Sequence, residues 1–435
     1  VLLKLSWPVM AGMVLQCLLA TVDIYFVSRL GTTAAAAASL GNSVSGVIFF
    51  FSTLVSAGTI ALVARSSGRG DEWAVREICG MSFTLSAAIG SVVGFACILA
   101  TAPIVRVMFN PDPEVLELTR QFLVILFAGT GLVFASSSLR TSIQAVGDTL
   151  SPLYVFGLAN LLNALLNPLF IFRLGLGIRG SALATVAATA LAFLAINAVL
   201  VRRLYGGRLS LFLASLRPRL DMGRRILRIG GWACLQQVAR PLTGMLMFRL
   251  VTETGGRAGT AAFGIGGQLF NYIFIFLVGL STGLSILVGQ SLGRGDPTAC
   301  DALIRKGMRL AWINVALFAL PFLLFPRTVM GFFIADPAVV AAGVSYLRIV
   351  YAGLVFIVYI SIYGGVFQGA GDTFPPMIAS LVANAPLKLA LAYLLAKTLH
   401  MGIRGVWAAI AVSVMAEAAL IAFYFWKDEW RHRAV

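Results

Sequence analysis

Long apolar stretches separated by short polar segments run the length of the chain. Twelve can be counted, at about 6–29, 34–64, 79–104, 119–141, 152–173, 180–202, 229–251, 260–291, 305–326, 343–367, 376–397 and 405–427. A helix needs about 20 apolar residues to cross a hydrocarbon core about 30 Å thick, and these runs supply them. The longer ones are expected to tilt or to extend past the membrane. A transmembrane barrel would show a two-residue alternation in segments about half as long, and that pattern is missing. The expectation is an all-α polytopic membrane protein with 12 transmembrane helices.

Composition agrees. Of 435 residues, 59% are hydrophobic and 11% are charged, against about 25% charged in soluble domains. Lys and Arg number 33 and Asp and Glu 17, a net charge of +16. The basic excess lies in alternate loops: Arg65, Arg69 and Arg76; Arg294, Arg305, Lys306 and Arg309; Lys427, Arg431 and Arg433. Arg202, Arg203, Arg208, Arg217, Arg219, Arg224, Arg225 and Arg228 follow the sixth run. Cytoplasmic loops carry such an excess as an orientation signal, so both termini are expected in the cytoplasm, and nucleic acid is not needed to explain the charge. The first run is too long for a cleavable leader and is followed by many more, so it reads as a span.

The chain repeats itself. Gln144-Ala-Val-Gly-Asp-Thr149 returns as Gln368-Gly-Ala-Gly-Asp-Thr373, 224 residues on. Gly68-Arg-Gly-Asp71 returns as Gly293-Arg-Gly-Asp296, and Gly177-Ile-Arg-Gly180 as Gly402-Ile-Arg-Gly405, both 225 on. Asp112-Pro113 falls on Asp336-Pro337, and Asn160 on Asn384. Each half then holds six helices. An even number returns the chain to its starting side, so two pseudo-symmetric six-helix bundles of like orientation are expected: residues 1–202, a basic cytoplasmic linker 203–228, and residues 229–435. Repeats of this kind enclose a central site in transporters that work by alternating access.

Ionisable side chains at membrane depth cost at least ~2.5 kcal/mol on insertion scales and mark function by default. Four stand out: Asp23, Arg240, Lys388 and Glu417. Asp23 has polar company. Gln16 lies two helical turns before it; Asn160, Asn163 and Asn167 form one stripe on the fifth helix; Thr185 lies one turn into the sixth. At an offset of 224 Asn163 and Asn167 map to Leu387 and Leu391, at 225 Thr185 maps to Ile410, and Asp23 maps to Met247 or Phe248, depending on one gap. The cluster is therefore expected in the first half alone. Taking a carboxylate out of water favours its neutral form, so such an acid can load and unload a proton; the same oxygens suit Na⁺. Asn and Thr also serve as interhelical glue, a reading that stays open beside the first. Pro8 removes a hydrogen bond from the first helix. In the second half, Lys388 and Glu417 lie at similar depth and read as a structural ion pair. That leaves Arg240 free for Asp23, an anionic substrate or backbone carbonyls. Gln16, Asn160, Arg240, Lys388 and Glu417 are thus candidates for lining a substrate cavity.

Other chemistries find no support. Five Cys without a CxxC pair and two His near the end of the chain offer no metal-ligand spacing. There is no GxxxxGK[ST] phosphate loop and no nucleophile–base set. An intramembrane enzyme, a metal site and a resident cofactor are therefore not expected. The Asp of the Gly-Asp loops is expected to cap helix N-termini.

Several of these residues together resemble the multidrug and toxic-compound extrusion (MATE) family. They are Pro8, Val22-Asp23, Val288-Gly-Gln-Ser-Leu-Gly293, the two Gly-Asp-Thr loops, Asn160-Leu-Leu-Asn163, Asn167-Pro168-Leu-Phe170 and Ala182-Leu-Ala-Thr185. The resemblance runs over nearly the whole chain. It implies two six-helix bundles in a bacterial cytoplasmic (inner) membrane. It also implies export of drug-like compounds by a secondary antiporter driven by H⁺ or Na⁺; separately from the resemblance, a monomer is expected. A cation-coupling role carries onto Asp23, Asn163, Asn167 and Thr185. Many members have Asp where this chain has Asn167, and some carry acids in helices 7 and 10, where this chain has Gln236, Gln237, Arg240 and Ile357-Val-Tyr359. A flippase for lipid-linked saccharides, with Arg240 and Lys388 facing pyrophosphate, is the alternative.

Overall fold

The structure, a computed structural model, describes residues 1–109 and 111–432; Arg433 lies outside the described residues. Among those residues every regular element is helical. In chain order they are α1 (Leu2–Ser28), α2 (Thr32–Arg69), α3 (Glu72–Phe109), α4 (Pro113–Ala128), α5 (Thr130–Ala145), α6 (Leu150–Arg173), α7 (Ile178–Leu204) and α8 (Leu209–Ser215). There follow α9 (Leu220–Gly293), α10 (Pro297–Leu324), α11 (Pro326–Phe333), α12 (Pro337–Leu354), α13 (Ile357–Ala370), α14 (Phe374–Thr398) and α15 (Ile403–Trp426).

Ten of these are long and apolar enough to span a bilayer, and α4 with α5, bent by 48° at Gly129, makes an eleventh. The 74 residues of α9 far exceed one span, and its helix is broken at Gly256 (φ 56, ψ −151). Counting α9 as two gives twelve spans, each on one of the twelve apolar runs.

The chain forms two compact units, Trp7–Gly231 on one side and Val1–Ser6 with Trp232–Val435 on the other. Helix α1 therefore begins in one unit and continues in the other, changing over beside Pro8. The basic segment from 203 to 228 folds onto the first unit. The Tyr205 hydroxyl donates to the Arg76 carbonyl at 2.8 Å. Arg203 pairs with Asp148 at 3.1 Å and Arg219 with Glu77 at 2.6 Å.

The repeat is visible in the backbone. Breaks with positive φ fall at Gly31 and Gly256, at Gly70 and Gly295, and at Gly177 and Gly402, where glycine avoids the Cβ penalty. The loop acids cap helices: Asp71 Oδ1 accepts from Ala74 N–H at 2.9 Å, and Asp296 Oδ1 from Ala299 N–H at 3.0 Å. Both halves end their fifth helix in a π-helical turn, Leu169–Arg173 and Leu394–Thr398. The second half has one more, Ala383–Leu387, which contains Pro386.

Candidate functional site

In the first unit Asp23, Asn163, Asn167 and Thr185 converge. Helix α6 supplies both Asn from one face, four residues apart, and α7 returns alongside it after a tight turn. The approach is close because residue 180 has no side chain: a Cβ on Gly180 would stand 2.7 Å from the Phe170 carbonyl carbon and oxygen. Gly405 meets Leu395 in the same way at 2.6 Å in the second half.

The cluster is a closed hydrogen-bond circuit. Asn167 Nδ2 donates to Asp23 Oδ1 at 2.8 Å and to Asn163 Oδ1 at 2.9 Å. Asn163 Nδ2 donates to Thr185 Oγ1 at 3.2 Å, and that hydroxyl points to Asp23 Oδ2 at 3.4 Å and to the Ser181 carbonyl at 3.1 Å. Asn163 and Asn167 are fully buried and Asp23 nearly so. All the neighbours of the carboxylate in this circuit are neutral. The buried Asn167 Oδ1 finds no donor among the described residues, and a lone buried acceptor is costly. Asp23, Asn163, Thr185 and Asn167 thus present an oxygen-rich set that suits a proton or a hard cation. One turn further along α1, Val27 is buried with Ile171, Ile178 and Ala182 in an apolar cluster, which dries that side of the site.

Two candidates stand apart. Gln16 is exposed and takes no part in the circuit, although it lies two turns from Asp23. Asn160 donates to the Leu15 carbonyl at 2.9 Å and so ties α6 to α1. That contact borders an apolar groove of about 580 Å³ lined by Ala11, Leu15, Tyr154, Gly157, Leu158 and Leu161 among others.

The second unit corrects the sequence expectation. Glu417 pairs with Arg240, not with Lys388: Arg240 Nη2 lies 3.1 Å from Glu417 Oε1. Asn384 is the hub, donating from Nδ2 to Glu417 Oε2 at 2.8 Å and accepting from Lys388 Nζ at 2.5 Å. Arg240 is therefore not left without an acid. The repeat register also changes. A π-helical turn holds one extra residue, and the Lys388 N–H reaches back five residues to the Ala383 carbonyl. Past this turn the offset becomes 225, so Lys388, and not Leu387, stands where the first half has Asn163. The offset of 224 that relates Asn160 to Asn384 assigns Leu387 instead, and Pro386 is the local sequence signal that the helix widens there. Asn384 is a site residue that the sequence does not reveal: the repeat makes it only the mate of Asn160, and its contacts with Glu417 and Lys388 are tertiary.

The two Asn–Asp and Arg–Glu centres sit on a repeat that known proteins share. The family model MatE matches this chain twice, at residues 8–169 and again at 233–394. The chain belongs to the MATE family. Its members are transporters and not enzymes. The probable multidrug resistance protein NorM of Thermotoga maritima is 26% identical, over 100% of this chain and 93% of its own length. The NorM protein of Agrobacterium fabrum is 28% identical over 97% of this chain and 92% of its own. An FAD transporter of Shewanella oneidensis is 25% identical over 78% of this chain and 75% of its own. A MATE transporter crystallised in the bent conformation superposes with a TM-score of 0.91 at 22% identity, over 99% of this chain and 94% of that one. At that identity the likeness fixes the fold alone, that of a twelve-helix membrane protein; the role of a membrane transporter for small molecules comes with membership of the family.

Proposed function

We propose that this MATE protein is a secondary active antiporter that exports drug-like organic compounds, with H⁺ or Na⁺ coupling at Asp23, Asn163, Asn167 and Thr185. The observation that carries the reading is the buried Asp23 carboxylate held only by neutral amides and a hydroxyl, with the Asn167 carbonyl oxygen still unpaired. A cation arriving there changes the local charge from −1 to neutral. Asn167 then no longer faces a full negative charge, and the α1–α6 hydrogen bond weakens, because bonds to ionised groups are the stronger ones. Pro8 gives α1 a point at which to bend, and it lies at the change of unit. The alternate basic loops support a multi-pass protein of the bacterial cytoplasmic membrane with both termini inside, and nothing in the cycle needs more than one chain.

A lipid-linked saccharide flippase is not favoured. The relatives are named as multidrug resistance proteins, and Arg240 is engaged by Glu417, which leaves too little positive charge for a pyrophosphate.

The test is efflux from proteoliposomes under separately imposed H⁺ and Na⁺ gradients. One gradient should drive transport in the wild type, and Asp23→Asn should abolish it while the protein inserts normally. Gradient-driven transport at the wild-type rate in Asp23→Asn would remove Asp23 from the mechanism.

A further inference from the structure

The second unit holds a charged counterpart of the Asp23 cluster. Its three ionisable groups, Arg240, Lys388 and Glu417, carry a formal charge of +1. The acid sits behind the bases: the Glu417 side chain is 5% exposed and that of Arg240 32%, and Lys388 is partly accessible. Glu417 spends both carboxylate oxygens on Arg240 and Asn384. Lys388 is given only an amide oxygen. Among the described residues the buried Arg240 Nε meets no acceptor. A protein that keeps one cation in excess at membrane depth, with a donor unfilled, is built for a charge it does not itself supply. A guanidinium a third exposed at that depth faces water rather than hydrocarbon, since contact with lipid would cost several kcal/mol. The π-helical turn at Ala383–Leu387 is what brings Lys388 into line, and such turns concentrate at functional positions.

We propose that Arg240 and Lys388 bind the anionic head, a carboxylate or sulfonate, of a drug-sized organic acid, so that the cargo of this transporter includes organic monoanions. The proposal rests on the reading that the chain carries organic solutes, and it adds the charge class. One surplus positive charge matches one negative charge. Arg240, its side chain a third exposed, offers guanidinium N–H groups beyond the one paired with Glu417, and Lys388 offers a rotatable ammonium within the same network.

The test uses the full chain in detergent or nanodiscs and a matched pair of probes, dansylglycine and its neutral amide, titrated by fluorescence. The wild type should bind the carboxylate roughly tenfold or more tightly than the amide, as a charge-assisted contact requires. Lys388→Gln leaves the Arg240–Glu417 pair intact, so it should fold and elute as the wild type does. It should prefer the carboxylate over the amide by less than about threefold. Asp23→Asn should keep the full preference while losing transport, which separates this proposal from the coupling role of Asp23. Equal affinity for the two probes in the wild type, an undiminished preference in Lys388→Gln, or its loss in Asp23→Asn would each overturn the assignment.

Discussion

Glu417→Gln is the most informative perturbation of the second unit. The substitution keeps the shape and removes the charge. Gln can still accept from Asn384, so the 2.8 Å contact is preserved in kind; the 3.1 Å pair with Arg240 is not. Breaking a buried pair by neutralising one partner costs about 3–5 kcal/mol when both groups are buried. Here the carboxylate is buried but the guanidinium is one-third exposed, so water takes back part of the loss, and about 2–3 kcal/mol is expected. The double variant Arg240→Met/Glu417→Gln removes the stranded guanidinium as well. It should recover about 1–2 kcal/mol relative to additivity, as interacting neighbours do. The companion cycle with Lys388→Met should show a smaller coupling, because Lys388 makes its hydrogen bond to Asn384 and not to the carboxylate. The assay is equilibrium unfolding of the purified protein by a denaturing detergent, followed by tryptophan fluorescence. A Lys388–Glu417 coupling larger than the Arg240–Glu417 coupling, or a Glu417→Gln loss below about 0.5 kcal/mol, would refute the pairing.

Three further outcomes are expected. Gly180→Ala drives a methyl group into the Phe170 backbone, so it should cost about 1–3 kcal/mol in the same unfolding assay and impair transport by parting Asn163 from Thr185. Gly157→Ala, whose Cβ would make an ordinary 3.6 Å contact with Leu15, should be nearly silent in both. In the loop before α10, the Thr298 hydroxyl and the Ala299 N–H hold the Asp296 carboxyl below its ordinary value of 3.8. A depressed folded value stabilises above the unfolded value and is lost as pH falls through the folded one. The stability gap between wild type and Asp296→Asn should therefore be widest near neutral pH and close below about pH 4; a gap that widens in acid would contradict the cap.

The sequence alone determined the class of the molecule, its twelve spans and its internal repeat. These are properties of local composition: a run of some twenty apolar side chains must hide its backbone in a helix wherever it lies in a bilayer. The Gly-Asp loops were legible for the same reason, since a cap is made within four residues. Asp23 and its Asn stripe could also be named, because one ionisable residue in an apolar run and a spacing of four on a helix need no tertiary information.

What met across helices could not be read in this way. Depth and adjacency pointed to Lys388 as the mate of Glu417, yet Arg240, 177 residues away, took the carboxylate. Gln16 shared a helical face with Asp23 and still stayed outside the circuit. The extra residue at Ala383–Leu387 turned Lys388 into the position of Asn163, which an offset of 224 assigns to Leu387. Each of these outcomes depends on how far one helix is rotated about its axis against another. One added residue turns a helix by about 100°, and only the packed neighbours decide where that rotation stops.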